Sequence, residues 1–244
     1  MPDVRAALRA HPRLYSAAQR AYVLGRYAAR RPHERDFEAF SLLPGEGLFL
    51  DVGANSGASA MSFRLHKPTN PILSLEPSAL HVGDLWLAGR IVGRMQCMFC
   101  AAGREPGVLT LHVPYLHGTP LSHFASLDPI EAGPSSWAVR SSVGDAVRSE
   151  HFEVRTEHTP VVRLDDLELE PSFVKIDVQG FEREVLAGLH QTIEKHRPIF
   201  LIEIGGDWTI VDELQDHGYR PHIYDGALKP FAGDMPSANM FFLP

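Results

Sequence analysis

The sequence predicts an α/β protein built on a mostly parallel, Rossmann-like sheet of seven strands, with helices on both faces and a short antiparallel addition. Short apolar runs alternate with stretches of helical periodicity, which is typical of βα units and a parallel sheet. The first apolar run ends in a glycine-containing turn of the kind that binds nucleosides. The chain has 244 residues, of which 44% are hydrophobic, so it can bury the core of such a domain.

The predicted elements alternate in the first and last thirds of the chain. We expect strands at 48–52, 72–76, 95–100, 172–177, 198–204, 219–224 and 238–243, and helices at 57–67, 79–90, 181–195 and 208–217. Short strands at 107–113, 152–155 and 160–163 follow one another without helices, which predicts the antiparallel addition.

The first strand leads into the loop Asp51-Val52-Gly53-Ala54-Asn55-Ser56-Gly57. Gly53 allows the backbone to turn without a Cβ clash, and Gly57 allows the next helix to lie close to a ligand. The glycines lack the G-x-G-x-x-G spacing of a pyrophosphate site, and Asp51 favours a ligand with a positive charge. S-Adenosylmethionine fits this pattern because its methionyl ammonium needs an acceptor. The alternative is an ordinary tight βα turn.

The second strand ends on a carboxylate, about one βα unit downstream. Pro77 ends this strand and Ser78 can cap the next helix, so Glu76 lies at the strand tip, where it can accept both hydroxyls of a ribose. The alternative is a solvated strand end. The predicted cofactor-binding residues are Asp51, Gly53, Asn55, Gly57, Glu76, Pro77, Ser78 and Ala101.

A third group of motifs carries a family resemblance. Residues 172–182 read S-F-V-K-I-D-V-Q-G-F-E, and they are followed by V-L-A-G-L at 185–189 and R-P-I-F-L-I-E-I at 197–204. Together with the first loop and Glu76-Pro77, these motifs resemble the FkbM-type methyltransferases. The chain departs from the family pattern at Gln179, where an acidic residue is common. The resemblance implies a class I fold and S-adenosylmethionine-dependent methyl transfer, commonly to a hydroxyl of a sugar, lipid or secondary metabolite.

Candidate catalytic residues lie where the fourth and fifth predicted strands end. Ligands of an open α/β sheet bind beyond these ends, and an acceptor alcohol needs a base or a metal to lose its proton. Asp177 is the first candidate, as a base or, with Glu203, as a ligand of Mg²⁺; alternatively it caps the next helix. Lys175 projects from the same face as Asp177 and needs a carboxylate partner. We expect these three side chains to form one polar cluster, with a histidine of the irregular middle segment as the alternative base.

The predicted domain organisation begins with an N-terminal helical cap over residues 1–40, made of two short arginine-rich helices interrupted at His11-Pro12. Contact with an anionic surface, or a lid over the substrate, is the alternative for this segment. Residues 41–244 form the S-adenosylmethionine-binding domain. Its segment near 114–155 is too long for a plain connector, so we expect it to be a lid over the substrate or to be partly disordered.

Charge and composition argue against several classes of protein. A net charge of −7 is unsuited to a general nucleic-acid binder. No apolar run is long enough for a transmembrane segment and the N-terminus lacks an apolar signal core, so we expect a cytoplasmic protein.

Cys97 and Cys100 form C-x-x-C within a predicted strand, where residues three apart face opposite sides. We therefore expect two buried free thiols rather than a zinc or redox site.

These observations favour O-methylation of a small-molecule hydroxyl, on a sugar, lipid or natural product of secondary metabolism, without a nucleic-acid partner. One rival is a methyltransferase of another acceptor class, such as N-methylation. A DNA amino-methyltransferase would carry an N-P-P-Y-like loop where this chain has D-V-Q-G at 177–180. The other rival is a non-catalytic S-adenosylmethionine-fold subunit. The acceptor, the dependence on Mg²⁺ and the oligomeric state, including a homodimer, are left open.

Overall fold

The computed structural model describes residues 12–233 and 238–244. The first of the two predicted N-terminal helices lies outside the described residues. The second is α1 (Pro12–Ala28), and a 3₁₀ helix at Arg35–Ser41 follows it. No helix in the described ranges is long and apolar enough to cross a membrane.

The strands and helices predicted in the first and last thirds of the chain are present. The strands are β1 (Leu48–Val52), β2 (Ile72–Leu75), β3 (Met95–Met98), β4 (Ala101–Ala102), β5 (Gly107–Leu116), β6 (Thr119–Pro120), β7 (Phe152–Val162), β8 (Pro171–Ile176), β9 (Ile199–Glu203), β10 (Arg220–Tyr224), β11 (Leu228–Pro230) and β12 (Asn239–Leu243). The further α-helices are α2 (Ala58–His66), α3 (Val82–Val92), α4 (Trp137–Val143), α5 (Glu182–Ala187), α6 (His190–His196) and α7 (Thr209–Asp216).

Some elements differ in extent from the predictions. The two strands expected at 152–155 and 160–163 are one continuous strand, β7. The helix expected at 181–195 breaks into α5 and α6 at Gly188, where a Cβ would lie 2.2 Å from the carbonyl oxygen of Gly103. The strand expected at 95–100 ends at Met98, so Cys100 lies beyond it. Both cysteines are free, and Cys97 is only half-buried.

The main sheet has eight strands, not the predicted seven, in the order β11-β10-β12-β9-β8-β1-β2-β3. The additional strand is β11, which pairs antiparallel with β10; its three residues are too few to give a strand signal in sequence. Strands β3, β2, β1, β8 and β9 are parallel, and β12 runs antiparallel to both β9 and β10. The strand order reverses between β1 and β8, at the switch point where α/β sheets bind ligands.

Alternate side chains of the sheet pack against helices on both faces. On one face, the Phe40 ring lies 5.8, 5.6 and 5.6 Å from the rings of Phe49, Phe173 and Phe241, and Phe63 of α2 stacks on Phe49 at 3.9 Å. The other face forms a core with α5, α6 and α7, and its members include Leu50, Val174, Phe200, Val185, Ile193 and Leu214. Because side chains alternate along a strand, Asp51 and Lys175 continue the aromatic face toward the carboxyl edge of the sheet.

The chain divides into two compact units. One comprises the described residues up to Gly25 together with Val108–Thr159, and in it β5 pairs antiparallel with β6. The other comprises Arg26–Gly107 and Pro160–Pro244 and contains the main sheet. The boundary at residue 40 and the lid role of the 114–155 segment stay predictions.

Candidate active site

A buried charge cluster lies where β1 and β8 end. Lys175 and Asp51 are register partners, and their side chains are 8% and 0% exposed. The Lys175 ammonium donates to the carbonyl oxygen of Gly53 at 2.8 Å and lies 3.2 Å from Oδ2 of Asp177 and 3.7 Å from Oδ1 of Asp51. Burial alone would lower the pKa of Lys175, but the carboxylates of Asp177 and Asp51 outweigh it and raise that pKa. Lys175 therefore stays charged and ties three chain segments together.

Asp51 lies beneath the cluster rather than at its surface. Its Oδ2 accepts hydrogen bonds from the hydroxyls of Ser59 at 2.6 Å and Ser74 at 3.1 Å. Burial raises the pKa of Asp51, and the nearby Lys175 opposes this rise. The ammonium that Asp51 meets in this structure is that of Lys175, so this carboxylate holds Lys175 in place from below.

The glycines of the first loop are required by packing between chain segments. Gly53 has a φ of 79°, and a Cβ there would lie 1.8 Å from the carbonyl oxygen of Asp177. Gly57 has a φ of 82°, and its Cβ would lie 2.7 Å from the Cβ of Ala88 on α3. The absence of a side chain at Gly53 therefore leaves room for the loop that follows β8. The absence of a side chain at Gly57 leaves room for α3.

Glu76 joins the two loops that were predicted to hold the cofactor. Its Oε2 accepts from the backbone N–H of Asn55 at 2.7 Å, and its Oε1 accepts from the N–H of Ser78 at 2.9 Å. Burial raises the pKa of Glu76, and His81 and these two donors oppose the rise. Asn55 has a φ of 47°, and its Oδ1 is buried without a hydrogen-bond partner among the described residues. This corner therefore has carboxylate lone pairs and an amide oxygen to offer a ligand.

Of the remaining predicted cofactor residues, Pro77 and Ser78 directly follow Glu76, and Ala101 lies in β4, which is outside the main sheet. Pro77 and Ala101 are half-buried and Ser78 is buried. The Ser78 hydroxyl accepts from the N–H of Leu80, which confirms its predicted role as a helix cap.

Asp177 and Glu203 lie on either side of one amide group. Gln179 Nε2 donates to Oδ1 of Asp177 at 3.0 Å and to Oε2 of Glu203 at 2.9 Å. Burial, followed by the neighbouring Asp177, raises the pKa of Glu203 to about 8. Burial would also raise the pKa of Asp177, but Lys175 and the hydrogen bonds from Glu203 and Gln179 together outweigh it and hold that pKa below its usual value. At neutral pH the pair therefore carries one proton, on Glu203, and Asp177 is ionised.

Asp177 does not cap the helix that follows it, so the alternative prediction for this residue is wrong. Helix α5 has no side-chain cap, and the Asp177 carboxylate bonds to Lys175 and Gln179 instead. The Glu182 carboxylate accepts from the N–H groups of Val178 and Gly180 and so holds the loop itself.

Sequence reasoning missed a group of polar residues that border this cluster. Asn239 is the register partner of Glu203, and its Nδ2 donates to Oε2 of Glu34 at 3.0 Å and to Oδ2 of Asp36 at 3.1 Å. Burial and the Lys175 charge lower the pKa of His33 to about 3, so this imidazole is neutral. The one available signal was the position of Asn239 at the start of a predicted strand.

The residues predicted to bind Mg²⁺ do not fit that ion. No group of three or more His, Cys, Asp or Glu side chains in the described part of the chain is arranged to hold a metal. Asp177 Oδ2 faces the Lys175 ammonium, and Asp177 and Glu203 both bind the amide of Gln179. Mg²⁺ needs near-octahedral oxygen coordination, which carboxylates engaged by an ammonium and an amide do not supply.

The family follows from a match that covers most of the chain. Residues 51–221 match the family model described as the methyltransferase FkbM domain. The chain belongs to the FkbM methyltransferase family. The matched range contains the loop after β1, Glu76, Lys175, Asp177 and Glu203. The resemblance drawn from the motifs is thereby confirmed.

One solved structure has a similar fold. The FkbM methyltransferase of Methylobacillus flagellatus KT is similar at a TM-score of 0.52 and 16% identity, over 98% of this chain and 58% of that one. This FkbM chain thus spans little more than half the length of that protein, and the likeness shows the fold alone. A precorrin-6y C5,15-methyltransferase of Geobacter metallireducens GS-15 is more distantly similar, at a TM-score of 0.44 and 13% identity, over 84% of this chain and 82% of that one. No curated protein matches the sequence.

We expect Glu203 to make the protein less stable as the pH rises. Its pKa is about 8 in the folded protein and 4.5 ordinarily, so between these values the folded state binds more protons than the unfolded state. The free energy of unfolding therefore falls with rising pH in this window. Glu203→Gln keeps the hydrogen-bonding atoms but cannot ionise, so it should flatten the fall. Urea unfolding followed by circular dichroism across the window measures this.

Glu105→Gln is the matched control, because Glu105 lies in an exposed bend. It should leave the pH dependence of stability as it is in the parent. Equal pH slopes for the parent and Glu203→Gln would show that Glu203 does not hold the proton.

Proposed function

We propose that this protein is an S-adenosylmethionine-dependent O-methyltransferase that acts on a hydroxyl of a small molecule, such as a sugar or secondary metabolite. The observation that carries the proposal is Asp177, an ionised carboxylate beside a buried ammonium at the switch point of the sheet. The chain belongs to the FkbM methyltransferase family. Asp177 follows β8, whose neighbour β1 leads to the loop of Asn55, and Glu76 follows β2 on the other side of β1.

The corner between β1 and β2 supports S-adenosylmethionine as the methyl donor. Glu76 has lone pairs beyond those that bind the two backbone donors, and they suit the hydroxyls of a ribose. Asn55 Oδ1 is an unpartnered acceptor in the same corner and suits the methionyl ammonium. Asp51 supports the cofactor corner indirectly, because it holds the Lys175 ammonium, which in turn binds the carbonyl oxygen of Gly53 in the first loop. When bound, the cofactor supplies a methyl group on a sulfonium, which reacts with a nucleophile.

Asp177 is the proposed general base. When the cofactor is bound, the acceptor oxygen would bond to the methyl carbon while the carbon–sulfur bond breaks and its electron pair goes to sulfur. The acceptor hydroxyl would then be strongly acidic, so a carboxylate with a lowered pKa can still take its proton. Lys175 keeps Asp177 ionised, and the Gln179 amide fixes its second oxygen. Glu203 carries a proton near neutral pH and can bind a second oxygen of a polyhydroxylated acceptor.

A non-catalytic binding subunit and a methyltransferase of another acceptor class, such as N-methylation, are the rival functions. A binding subunit would bind S-adenosylmethionine in calorimetry and turn over no acceptor. An N-methyltransferase would use amines in preference to the matching alcohols. Membership of a methyltransferase family favours catalysis over binding alone.

Glu76→Ala should weaken S-adenosylmethionine binding by about 1.5–3 kcal/mol, because it removes a charged acceptor that also links the two loops. Titration calorimetry with the cofactor measures this. Glu105→Ala is the control and should bind as the parent does. Parent-like affinity in Glu76→Ala would remove this residue from the cofactor site.

Asp177→Asn should lower kcat by about 10²–10⁴-fold and leave cofactor affinity nearly unchanged, as expected when a general base is lost. Transfer of an isotope-labelled methyl group to a library of sugars and natural-product alcohols measures kcat, and calorimetry measures affinity. If Asp177 were instead a ligand of Mg²⁺, chelation would abolish the parent activity and Mg²⁺ would restore it. Near-normal kcat together with indifference to chelator would move the base to a histidine between 112 and 158.

A further inference from the structure

Helix α3 is apolar on its buried half and on its exposed half. Leu85, Ala88 and Val92 are buried, and Leu85 and Ala88 lie against Gly57. The opposite half carries the exposed side chains of Val82, Trp86, Leu87, Arg90 and Ile91, and we call it the α3 face. Four large apolar side chains are exposed together on one short helix, so the α3 face is suited to an apolar partner.

The exposed charges at the C-terminal end of the α3 face are positive, and the acidic Asp84 in the first turn of the helix is largely buried beside His81. Arg90 is its one ionisable side chain, and its guanidinium lies 5.2 Å from the centre of the Trp86 ring. Arg94 is exposed just beyond the helix, and the buried Arg64 donates to the carbonyl oxygen of Gly93 at the same end. In a chain of net charge −7, this end of α3 is complementary to an anionic surface.

The size of the α3 face argues against a second copy of the chain as the partner. The helix has 11 residues and is therefore about 16 Å long, so the face covers at most a few hundred Å². A stable protein–protein interface buries about 800 Å² on each partner. Tryptophan prefers the boundary between water and hydrocarbon, and arginine reaches lipid phosphates while its stem lies on apolar groups.

We propose that the α3 face docks on the surface of an anionic lipid bilayer. Trp86, Leu87 and Ile91 enter the headgroup region, and Arg90 and Arg94 contact lipid phosphates. The helix lies in the plane of the membrane surface, as interfacial amphipathic helices do. This proposal does not rest on methyl transfer, since none of these residues belongs to the Lys175 cluster or to the proposed cofactor corner.

Co-sedimentation of the full chain with lipid vesicles tests the proposal. Vesicles of phosphatidylcholine mixed with phosphatidylglycerol should bind the protein, and binding should weaken as salt rises; vesicles of phosphatidylcholine alone should bind much less. Trp86→Ser should weaken binding to the mixed vesicles by about tenfold or more, since it removes the largest apolar group of the face. Arg90→Gln should weaken it by about fivefold and leave binding to the neutral vesicles unchanged.

Trp137→Ser is the matched control, because Trp137 is 82% exposed, against 63% for Trp86, and lies in the other compact unit. It should bind the mixed vesicles as the parent does. Circular dichroism verifies that each variant is folded, and Leu87→Ser replaces Trp86→Ser if that variant fails to fold.

Several results would overturn the proposal. These are absence of binding to the mixed vesicles, equal binding to neutral vesicles, or an equal loss of binding in Trp137→Ser. A dimer in light scattering that Trp86→Ser converts to a monomer would instead assign the α3 face to a second copy of the chain.

Discussion

The ammonium of Lys175 is a charge that the protein encloses, and the arrangement of the site depends on how that charge is neutralised. An unpaired ion in the interior is strongly destabilising, so the surrounding groups must supply compensation. Asp51 provides a carboxylate from β1, Asp177 provides one from the segment after β8, and Gly53 provides a carbonyl oxygen from the turn. These groups lie on both sides of the switch point. One side chain therefore fixes the two strand ends between which ligands of this fold bind.

The same charge decides how protons are distributed at the strand ends. Lys175 keeps Asp177 ionised, and the ionised Asp177 in turn helps to hold a proton on Glu203. Gln179 bridges the two carboxyl groups with its amide. An acidic side chain there would add a third carboxyl group to the pair. The amide is therefore compatible with one ionised and one protonated carboxyl group, which is the division that the proposed base chemistry uses.

Much of this site could be predicted from local sequence. The alternation of side chains along a strand placed Lys175 and Asp177 on one face, and the need of a buried ammonium for a partner predicted the contact that is seen at 3.2 Å. Neighbouring parallel strands likewise placed Glu76 beside the first loop. These predictions succeeded because each needed only the direction of a strand and the chemistry of its last residues.

What could not be predicted depends on contacts between distant parts of the chain. The sequence places Asp51 at a strand end but does not show that Ser59, Ser74 and Lys175 enclose it. Asn239 meets Glu34 across about two hundred residues, which no motif records.

The central claim, that Lys175 and Asp51 neutralise each other, is tested most directly by a double-mutant cycle on the free energy of unfolding, measured with urea. Lys175→Met should destabilise the protein by about 3–5 kcal/mol, and the double variant with Asp51→Asn should be at least about 2 kcal/mol more stable than the sum of the single effects predicts. Additivity within about 0.5 kcal/mol would contradict the claim.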